Sequence, residues 1–185
     1  MQHLAMKRLL SVACCLVFII SLTGTACQGQ DRASADEEAS YRGHEQIYVV
    51  YYVGASSCGF SSRDEVVEAV SQLPQGFSDA HDDTPTKFVF AAMDETVDDG
   101  LAFMQRHNAE QWDEVSLGAH YNNETLLHNF NSDVSAPGTP HIIVFEDTYR
   151  FDEYNIPHIE QREQIHSVMG AEGVVDWIEE GSPLP

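Results

Sequence analysis

The sequence predicts an α/β domain, because three apolar, β-rich runs alternate with segments whose apolar residues recur at helical spacing. The runs are IYVVYYV at residues 47–53, KFVFAAM at 87–93 and HIIVF at 141–145. Each run is apolar throughout rather than alternating, which is typical of strands that are covered on both faces. We therefore expect a central sheet with helices packed against it.

The segment before the first strand has the pattern of an export signal followed by a tether. A short basic segment precedes an apolar stretch, residues 9–22, that is shorter than the roughly 20 residues of a membrane-spanning helix. We expect residues 1–26 to be a signal peptide and the polar residues 27–45 to be a tether. Residues 46–185 are then long enough for one domain with its own core.

Cys27 stands where the signal peptide should end. The sequence around it resembles the bacterial lipobox, whose cysteine is lipid-modified and becomes the mature N-terminus. The resemblance implies that Cys27 carries a lipid that anchors the protein to a membrane, as a periplasmic or cell-surface lipoprotein. The alternative is simple cleavage and release of a soluble secreted protein. Both interpretations place the protein outside the cytoplasm, in the cell envelope or beyond it.

The composition is strongly acidic. The chain holds 9 Lys and Arg against 30 Asp and Glu, a formal net charge of −21 at pH 7. Phosphate binding needs clusters of basic residues, so this balance excludes nucleic acid as a partner. Lys87 is the only lysine beyond the expected signal peptide. Many acids with almost no lysine lead to the hypothesis that the protein is adapted to high salt, which screens repulsion between exposed charges.

Between the first and second strands the sequence predicts one helix and one loop. Apolar residues recur at helical spacing from about Phe60 to Leu73, and Pro74 is expected to end the helix. Ser62 and Glu65 have the spacing of a capping box at its start. The following segment, up to Thr86, is polar and predicts a loop.

After the second strand the pattern predicts two further helices. Thr96 and Asp99 can cap a helix that runs to about His107. A looser region that contains WDEVSLG follows, and a short helix is expected at residues 122–130. The insertion between the second and third strands is therefore long, with helices of its own.

The chain after the third strand is expected to end in helices. EDTYRF, residues 146–151, allows a turn and a short edge strand. Two later segments have apolar residues at helical spacing, namely residues 159–169 and residues 174–178, and both are predicted to be helical. Gly181 and Pro183 then end the last helix.

Two short motifs indicate a known fold. GASSCGFSS, residues 54–62, follows the first strand, and Gly138-Thr139-Pro140 leads into the third. Strand, cysteine turn, helix, strand, helix and Gly-Thr-Pro before a strand resemble, in this order, the thioredoxin-like superfamily. The resemblance covers residues 46 to about 181. It implies a three-layer α/β fold, with a central mixed sheet flanked by helices and an insertion before a cis-proline, Pro140.

The resemblance also assigns roles around the cysteine turn. It implies that Cys58 is a catalytic nucleophile for thiol–disulfide exchange with exported thiol- or disulfide-containing proteins. By the same resemblance a partner chain lies against four residues, Gly59, Phe60, Thr139 and Pro140. Relatives normally carry a second cysteine where this chain has Ser61, whose hydroxyl can donate a hydrogen bond to a thiolate but cannot resolve a mixed disulfide.

Other interpretations stay open. Without a resolving cysteine, the domain can be a redox-inactive binding or assembly module of the same fold. CGFS, residues 58–61, is also the motif of monothiol glutaredoxins, which would imply glutathione or iron–sulfur binding. The lysine that this family carries before the cysteine, and its Gly-Gly turn after the cis-proline strand, are both missing. We expect no cofactor and no metal site, since the sequence holds no phosphate loop, nucleotide fingerprint or zinc cluster.

Neighbouring groups are expected to have opposing effects on the pKa of Cys58. Its position at the start of a helix and the neighbouring Arg63 favour the thiolate, whereas Asp64 and Glu65 oppose it. We therefore expect modest activation of the thiol.

Two further groups near the expected site can be assigned from the sequence. His141 follows Pro140 and can approach Cys58 as a Cys–His pair, or serve as a hydrogen-bonded structural histidine. Asp94 and Glu95 end the second strand, where acids commonly face solvent.

Overall fold

The computed structural model of the protein describes residues 45–118 and 138–185, which belong to one compact unit, Tyr41–Pro185. The strands are β1 (Gln46–Gly54), β2 (Thr86–Ala92), β3 (Glu114–Ser116), β4 (His141–Phe151) and β5 (Pro157–Met169). The helices are α1 (Asp64–Ala80), α2 (Val97–Gln105) and α3 (Ala171–Glu179), with a 3₁₀ turn at Ala109–Gln111. None of the described helices is long and apolar enough to cross a membrane.

The five strands form one mixed sheet in the order β3-β2-β1-β4-β5. β1, β2 and β3 are parallel, whereas β4 runs antiparallel to β1 and β5 antiparallel to β4. Gly54 pairs with Ala92, and Val53 pairs with His141, so the ends of β1 and β2 and the start of β4 share one edge. The mixed five-stranded sheet with helices packed on it confirms the predicted α/β fold with a central mixed sheet.

The core has two apolar layers, because successive side chains of a strand point to opposite faces of the sheet. From β1, Val50 and Tyr52 enter the layer to which all three described helices contribute. Val49 and Tyr51 enter the second layer, on the opposite face of the sheet. All four are buried, which explains why the run is apolar throughout.

Helix α1 is longer than the sequence predicts. It ends at Ala80, so the expected end before Pro74 is wrong, and the expected loop is confirmed only for residues 81–85. A proline inside a helix removes one backbone hydrogen bond. The helix continues past it because Leu73 and Phe77, on either side of Pro74, are both completely buried in the core. Tertiary packing outweighs the local helix breaker here.

The start of α1 also differs from the prediction. Asp64 is its first residue, rather than Phe60, and the N-cap residue Arg63 makes no side-chain capping bond. The predicted capping box is wrong, because the Ser62 hydroxyl donates to the Ser56 carbonyl, at 3.0 Å, instead of bonding within the helix. The residues between Cys58 and Asp64 therefore form a separate turn.

The predicted cap of α2 is confirmed. Thr96 is its N-cap, and the Thr96 hydroxyl accepts a hydrogen bond from the Asp99 N–H at 3.1 Å. The helix ends at Gln105, close to the predicted end. The helix expected at residues 122–130 lies outside the described residues.

The end of the chain contains a long hairpin in place of a predicted helix. β4 runs through Phe151 instead of turning after the apolar run, and residues 159–169 lie in β5. The helical prediction for this segment is wrong. Pairing with β4, from Phe151 opposite Pro157 to His141 opposite Met169, decides its structure. The last predicted helix, residues 174–178, is confirmed by α3.

Candidate functional site

The cysteine turn lies at the sheet edge where β1 ends. Cys58 is half-buried, its N–H donates to the Ala55 carbonyl at 3.1 Å, and its carbonyl accepts from the Ser62 N–H at 3.1 Å. These two bonds close the turn before α1 begins at Asp64. The expectation that Cys58 lies at the start of the helix, with the N–H groups of its first turn directed at the thiol, is therefore wrong. The turn itself supplies the nearby N–H groups.

The expected cis-proline faces this turn. The Thr139–Pro140 peptide bond is cis. The Cys58 thiol donates a hydrogen bond to the Thr139 carbonyl, and the sulfur and oxygen are 3.3 Å apart. Two segments separated by more than eighty residues thus meet at one point, as the motifs predict. Thr139 is half-buried and Pro140 is buried.

Four groups act on the pKa of Cys58, beyond burial. Partial burial raises the pKa. Hydrogen bonds together lower the pKa by more than burial raises it, so the pKa lies below its usual value. These bonds come from the side chain of Thr139, the backbone and side chain of Ser61, and the backbone of Phe60. Two different parts of Thr139 are involved, because its carbonyl accepts from the neutral thiol while its hydroxyl favours the thiolate.

The charged residues beside the turn have other partners. The Arg63 guanidinium lies 4.8 Å from the centroid of the Phe60 ring and 3.8 Å from a Glu65 carboxylate oxygen. Both side chains of that ion pair are well exposed, so its field is strongly screened. The thiolate is therefore favoured by local hydrogen bonds rather than by the balance of charges that the sequence indicated.

Gly59 and Phe60 form the outer surface of the turn. Gly59 is exposed, and a side-chain atom placed on it would meet no other atom within 4 Å. The Phe60 ring is 55% exposed, which is unusual for a large apolar side chain. A large exposed ring thus follows the half-buried thiol by two residues in the turn. The predicted role of both residues in partner binding stays a prediction.

Ser61 faces inward, unlike its neighbours. It is completely buried, and its hydroxyl has no hydrogen-bond partner among the described residues while Cys58 keeps its proton. The Ser61 hydrogen bond that lowers the pKa of Cys58 is one to the thiolate. Ser61 is thus shielded from solvent, while Cys58 is partly open to it.

Asp94 lies where the sequence did not predict it. It was expected to face solvent, but it is only 3% exposed. Its carboxylate accepts hydrogen bonds from the Ser56 N–H, at 3.0 Å to Oδ1, and from the Ser56 hydroxyl. These hydrogen bonds therefore connect the cysteine turn to the segment that follows β2. The available signal was an acid directly after a strand whose end shares an edge with the turn.

His141 is a structural histidine. It is buried, and its Nε2 lies 2.7 Å from the Ser167 hydroxyl of β5. Burial lowers its pKa to about 4, so the ring is neutral at physiological pH. The Cys58 thiol instead bonds to Thr139. Of the two interpretations of His141, the hydrogen-bonded structural one agrees with these contacts.

Within residues 45–118 and 138–185, no group of three or more His, Cys, Asp or Glu side chains is arranged to hold a metal ion.

Comparison with known proteins gives structural matches only. No protein-family model matches the chain, and no curated protein matches it. The thioredoxin domain of a thiol-disulfide oxidoreductase from Bacteroides vulgatus is 14% identical, with 78% of this chain and 84% of that chain covered and a TM-score of 0.39. A secreted disulfide oxidoreductase of Mycobacterium tuberculosis is 14% identical, with 77% and 85% covered and a TM-score of 0.38. StoA from Bacillus subtilis is 15% identical, with 73% and 84% covered and a TM-score of 0.34.

Proposed function

We propose that Cys58 is the nucleophile of a monothiol thiol–disulfide exchange, on the premise that the mixed sheet and the cis-proline opposite the cysteine turn belong to a thioredoxin-like domain. The observation that carries the proposal is the position of its thiol. Cys58 is partly open to solvent, lies against Thr139 of the cis peptide, and has a pKa below the usual value of a cysteine. A lowered pKa gives more thiolate, which is the attacking form.

The exchange proceeds in two balanced steps. The Cys58 thiolate attacks one sulfur of a partner's disulfide, so that a mixed disulfide forms and the other partner sulfur leaves as a thiolate. The chain has Ser61 where a resolving thiol would stand. An external thiolate therefore attacks the partner's sulfur in the mixed disulfide, forms a new disulfide with it, and releases Cys58 as a thiolate.

The surrounding residues hold the reactants. Thr139 and Pro140 position the partner chain across from Cys58, and the exposed Phe60 ring packs against its apolar residues. Gly59 leaves space for the partner because it has no side chain. The partners are exported proteins that carry thiols or disulfides.

Location follows from the chain before the domain. We place the protein in the cell envelope, held to a membrane through a lipid on Cys27, on the basis of the signal-like segment and the lipobox resemblance. Intact mass of the protein extracted from its native membrane should show an N-terminal Cys27 with a diacylglyceryl thioether. A water-soluble product with an unmodified N-terminus would contradict anchoring.

Reaction with a small aromatic disulfide tests the exchange itself. The full chain with Cys14, Cys15 and Cys27 changed to serine leaves Cys58 as the only thiol. At neutral pH it should form the mixed disulfide faster than free cysteine does. Cys58→Ser should abolish the reaction, and Ser61→Cys should release the adduct by forming an intramolecular disulfide.

The opposite result supports the other function. If Cys58 reacts no faster than free cysteine, and Ser61→Cys gains no reductase activity, the domain is a redox-inactive binding module.

A further inference from the structure

Besides the hydroxyl of Ser61, the hydroxyl of Tyr52 is also buried near the cysteine turn without a hydrogen-bond partner among the described residues. Tyr52 is on β1, on the helix-covered face, and is completely buried. Its hydroxyl oxygen lies 2.8 Å from where a Cβ on Gly54 would be, so it is directed at the start of the cysteine turn. Among the residues that the structure describes, neither the Tyr52 hydroxyl nor the Ser61 hydroxyl has a hydrogen-bond partner.

Two buried hydroxyls without partners are costly. An unsatisfied buried polar group costs about 1–3 kcal/mol, and such groups are rare in native proteins. A phenylalanine in place of Tyr52 and an alanine in place of Ser61 would avoid the cost. The presence of both hydroxyls therefore indicates that the protein has another state in which they form hydrogen bonds.

Tyr52, Ser61 and Cys58 also influence one another. Burial raises the pKa of Tyr52 above its usual value, the Ser61 side chain lowers it, and the charge of Cys58 raises it. The Ser61 side chain lowers the pKa of Cys58 as well. Ser61 is therefore near both groups, although no hydrogen bond of normal geometry joins it to Tyr52 while Cys58 is a neutral thiol.

We infer that Tyr52 is a positioning residue that stabilises the Cys58 thiolate through Ser61, an inference that rests on the proposed function. In the neutral form the thiol donates to the Thr139 carbonyl, and the two hydroxyls lack an anion to donate to. When the thiol loses its proton, the sulfur becomes an acceptor. Ser61 then donates to the sulfur, and Tyr52 donates to the oxygen of Ser61.

This arrangement favours the thiolate because only that state gives Ser61 an anion to donate to, and the donated bond orients the Ser61 oxygen to accept from Tyr52. Hydrogen bonds in a chain strengthen one another, so Tyr52 makes Ser61 a better donor. Tyr52 keeps its own proton throughout, since its raised pKa leaves it neutral at any working pH. No proton passes along the chain, and the effect is on the equilibrium between thiol and thiolate.

Two other titratable groups, Arg106 and His107, lie near Tyr52. Arg106 follows α2, and its charge lowers the pKa of Tyr52. The His107 ring lies 5.4 Å from the Tyr52 ring, and its Nδ1 is 2.9 Å from the Phe103 carbonyl. Burial lowers the pKa of His107 to about 4, so it is neutral where Cys58 titrates.

The pH dependence of Cys58 alkylation by iodoacetamide tests the inference, in the full chain with Cys58 as the only thiol. Tyr52→Phe should shift the profile to higher pH by about half to one unit, which slows alkylation about three- to tenfold near pH 6.5, while the plateau at high pH is unchanged. Ser61→Ala should shift it further. The double variant should match Ser61→Ala, because Tyr52 acts through Ser61.

Tyr48→Phe is the matched control, since Tyr48 is on the same strand but packs against Phe77 at the other end of it. Its profile should equal that of the wild type. A Tyr52→Phe profile that coincides with the wild type, or single effects that add in the double variant, would overturn the inference. Should Tyr52→Phe fail to fold, Ser61→Ala decides, and an unshifted profile there also overturns it.

The failure of this inference differs from the failure of the proposed function. If the wild-type profile has the pKa of an ordinary cysteine, the proposed function is wrong. If the wild-type pKa is lowered and Tyr52→Phe leaves it unchanged, only the inference is wrong. A purely structural role for Tyr52 would change the melting temperature without moving the profile.

Discussion

At the residue scale, hydrogen bonds between Ser56 and Asp94 hold the cysteine turn in place. The carboxylate of Asp94 is buried and accepts from both the N–H and the hydroxyl of Ser56, two residues before Cys58. Because hydrogen bonds to a charged acceptor are stronger than those between neutral groups, this contact holds the thiol in place. The Cys58 thiol is thus positioned by the contact between Asp94 and Ser56 and by the Thr139 carbonyl of the cis peptide.

Replacement of Asp94 by alanine should destabilise the protein. The change leaves the Ser56 donors without their acceptor, and we expect the free energy of unfolding to fall by about 1–3 kcal/mol. Asp94→Asn keeps one carbonyl oxygen and should cost less. Urea unfolding measures the difference, with the exposed neighbour Glu95→Ala as control, expected to change stability by less than about 0.5 kcal/mol. Equal effects at both positions would contradict the assigned role of Asp94.

The sequence predicted the motif residues of the site but not the buried residues that support them. Cys58, Thr139 and Pro140 belong to short motifs with a fixed order, so their meeting could be predicted. Tyr52 and Asp94 could not, because strand periodicity indicates which face a side chain takes but not which group it meets. Their partners come from segments that only the folded sheet brings together.

Helix α1 shows at the element scale how packing overrides a local signal. Pro74 predicts a helix end, yet Phe77, one turn later, is completely buried against Phe88 and Trp177. The same holds for β5, whose apolar spacing suggested a helix but whose backbone pairs with β4 over its whole length. Elements with clear boundaries, such as β1 and the Thr96 cap, were predicted correctly.

The continuation of α1 beyond Pro74 can be tested by truncating Phe77. Phe77→Ala should lower the free energy of unfolding by about 3–5 kcal/mol, as expected for a large aromatic side chain removed from a core. Gln75→Ala, at an exposed position of the same helix, should change it by less than about 0.5 kcal/mol. Chemical denaturation of both variants is the measurement. A small effect at Phe77 would mean that this part of the chain does not pack as described.

At the scale of the whole molecule, charge is the dominant feature. The formal net charge of −21 is spread over a chain with two lysines and seven arginines. Among the described residues, several of these cations pair with acids, such as Arg162 with the buried Asp147 at 2.7 Å. Most acids are left to repel one another, and this repulsion destabilises the compact state.

Stability should therefore rise with salt. Sodium chloride screens repulsion between exposed charges, and the Debye length falls from about 10 Å at 0.1 M to about 3 Å at 1 M. We expect the melting temperature to increase over this range. Sodium sulfate at the same ionic strength separates screening from salt-specific effects, which would make the two salts differ. A flat or falling melting temperature in sodium chloride would contradict the hypothesis of adaptation to high salt.

The claim on which the proposed function depends is that folding activates Cys58. The most direct measurement is the rate of Cys58 alkylation against pH, in the folded protein and in the same protein unfolded in urea, with Cys58 as the only thiol. Hydrogen bonds from Ser61, Phe60 and Thr139 exist only in the folded state, so the folded profile should have its midpoint at lower pH. A folded midpoint equal to or above the unfolded one would contradict activation.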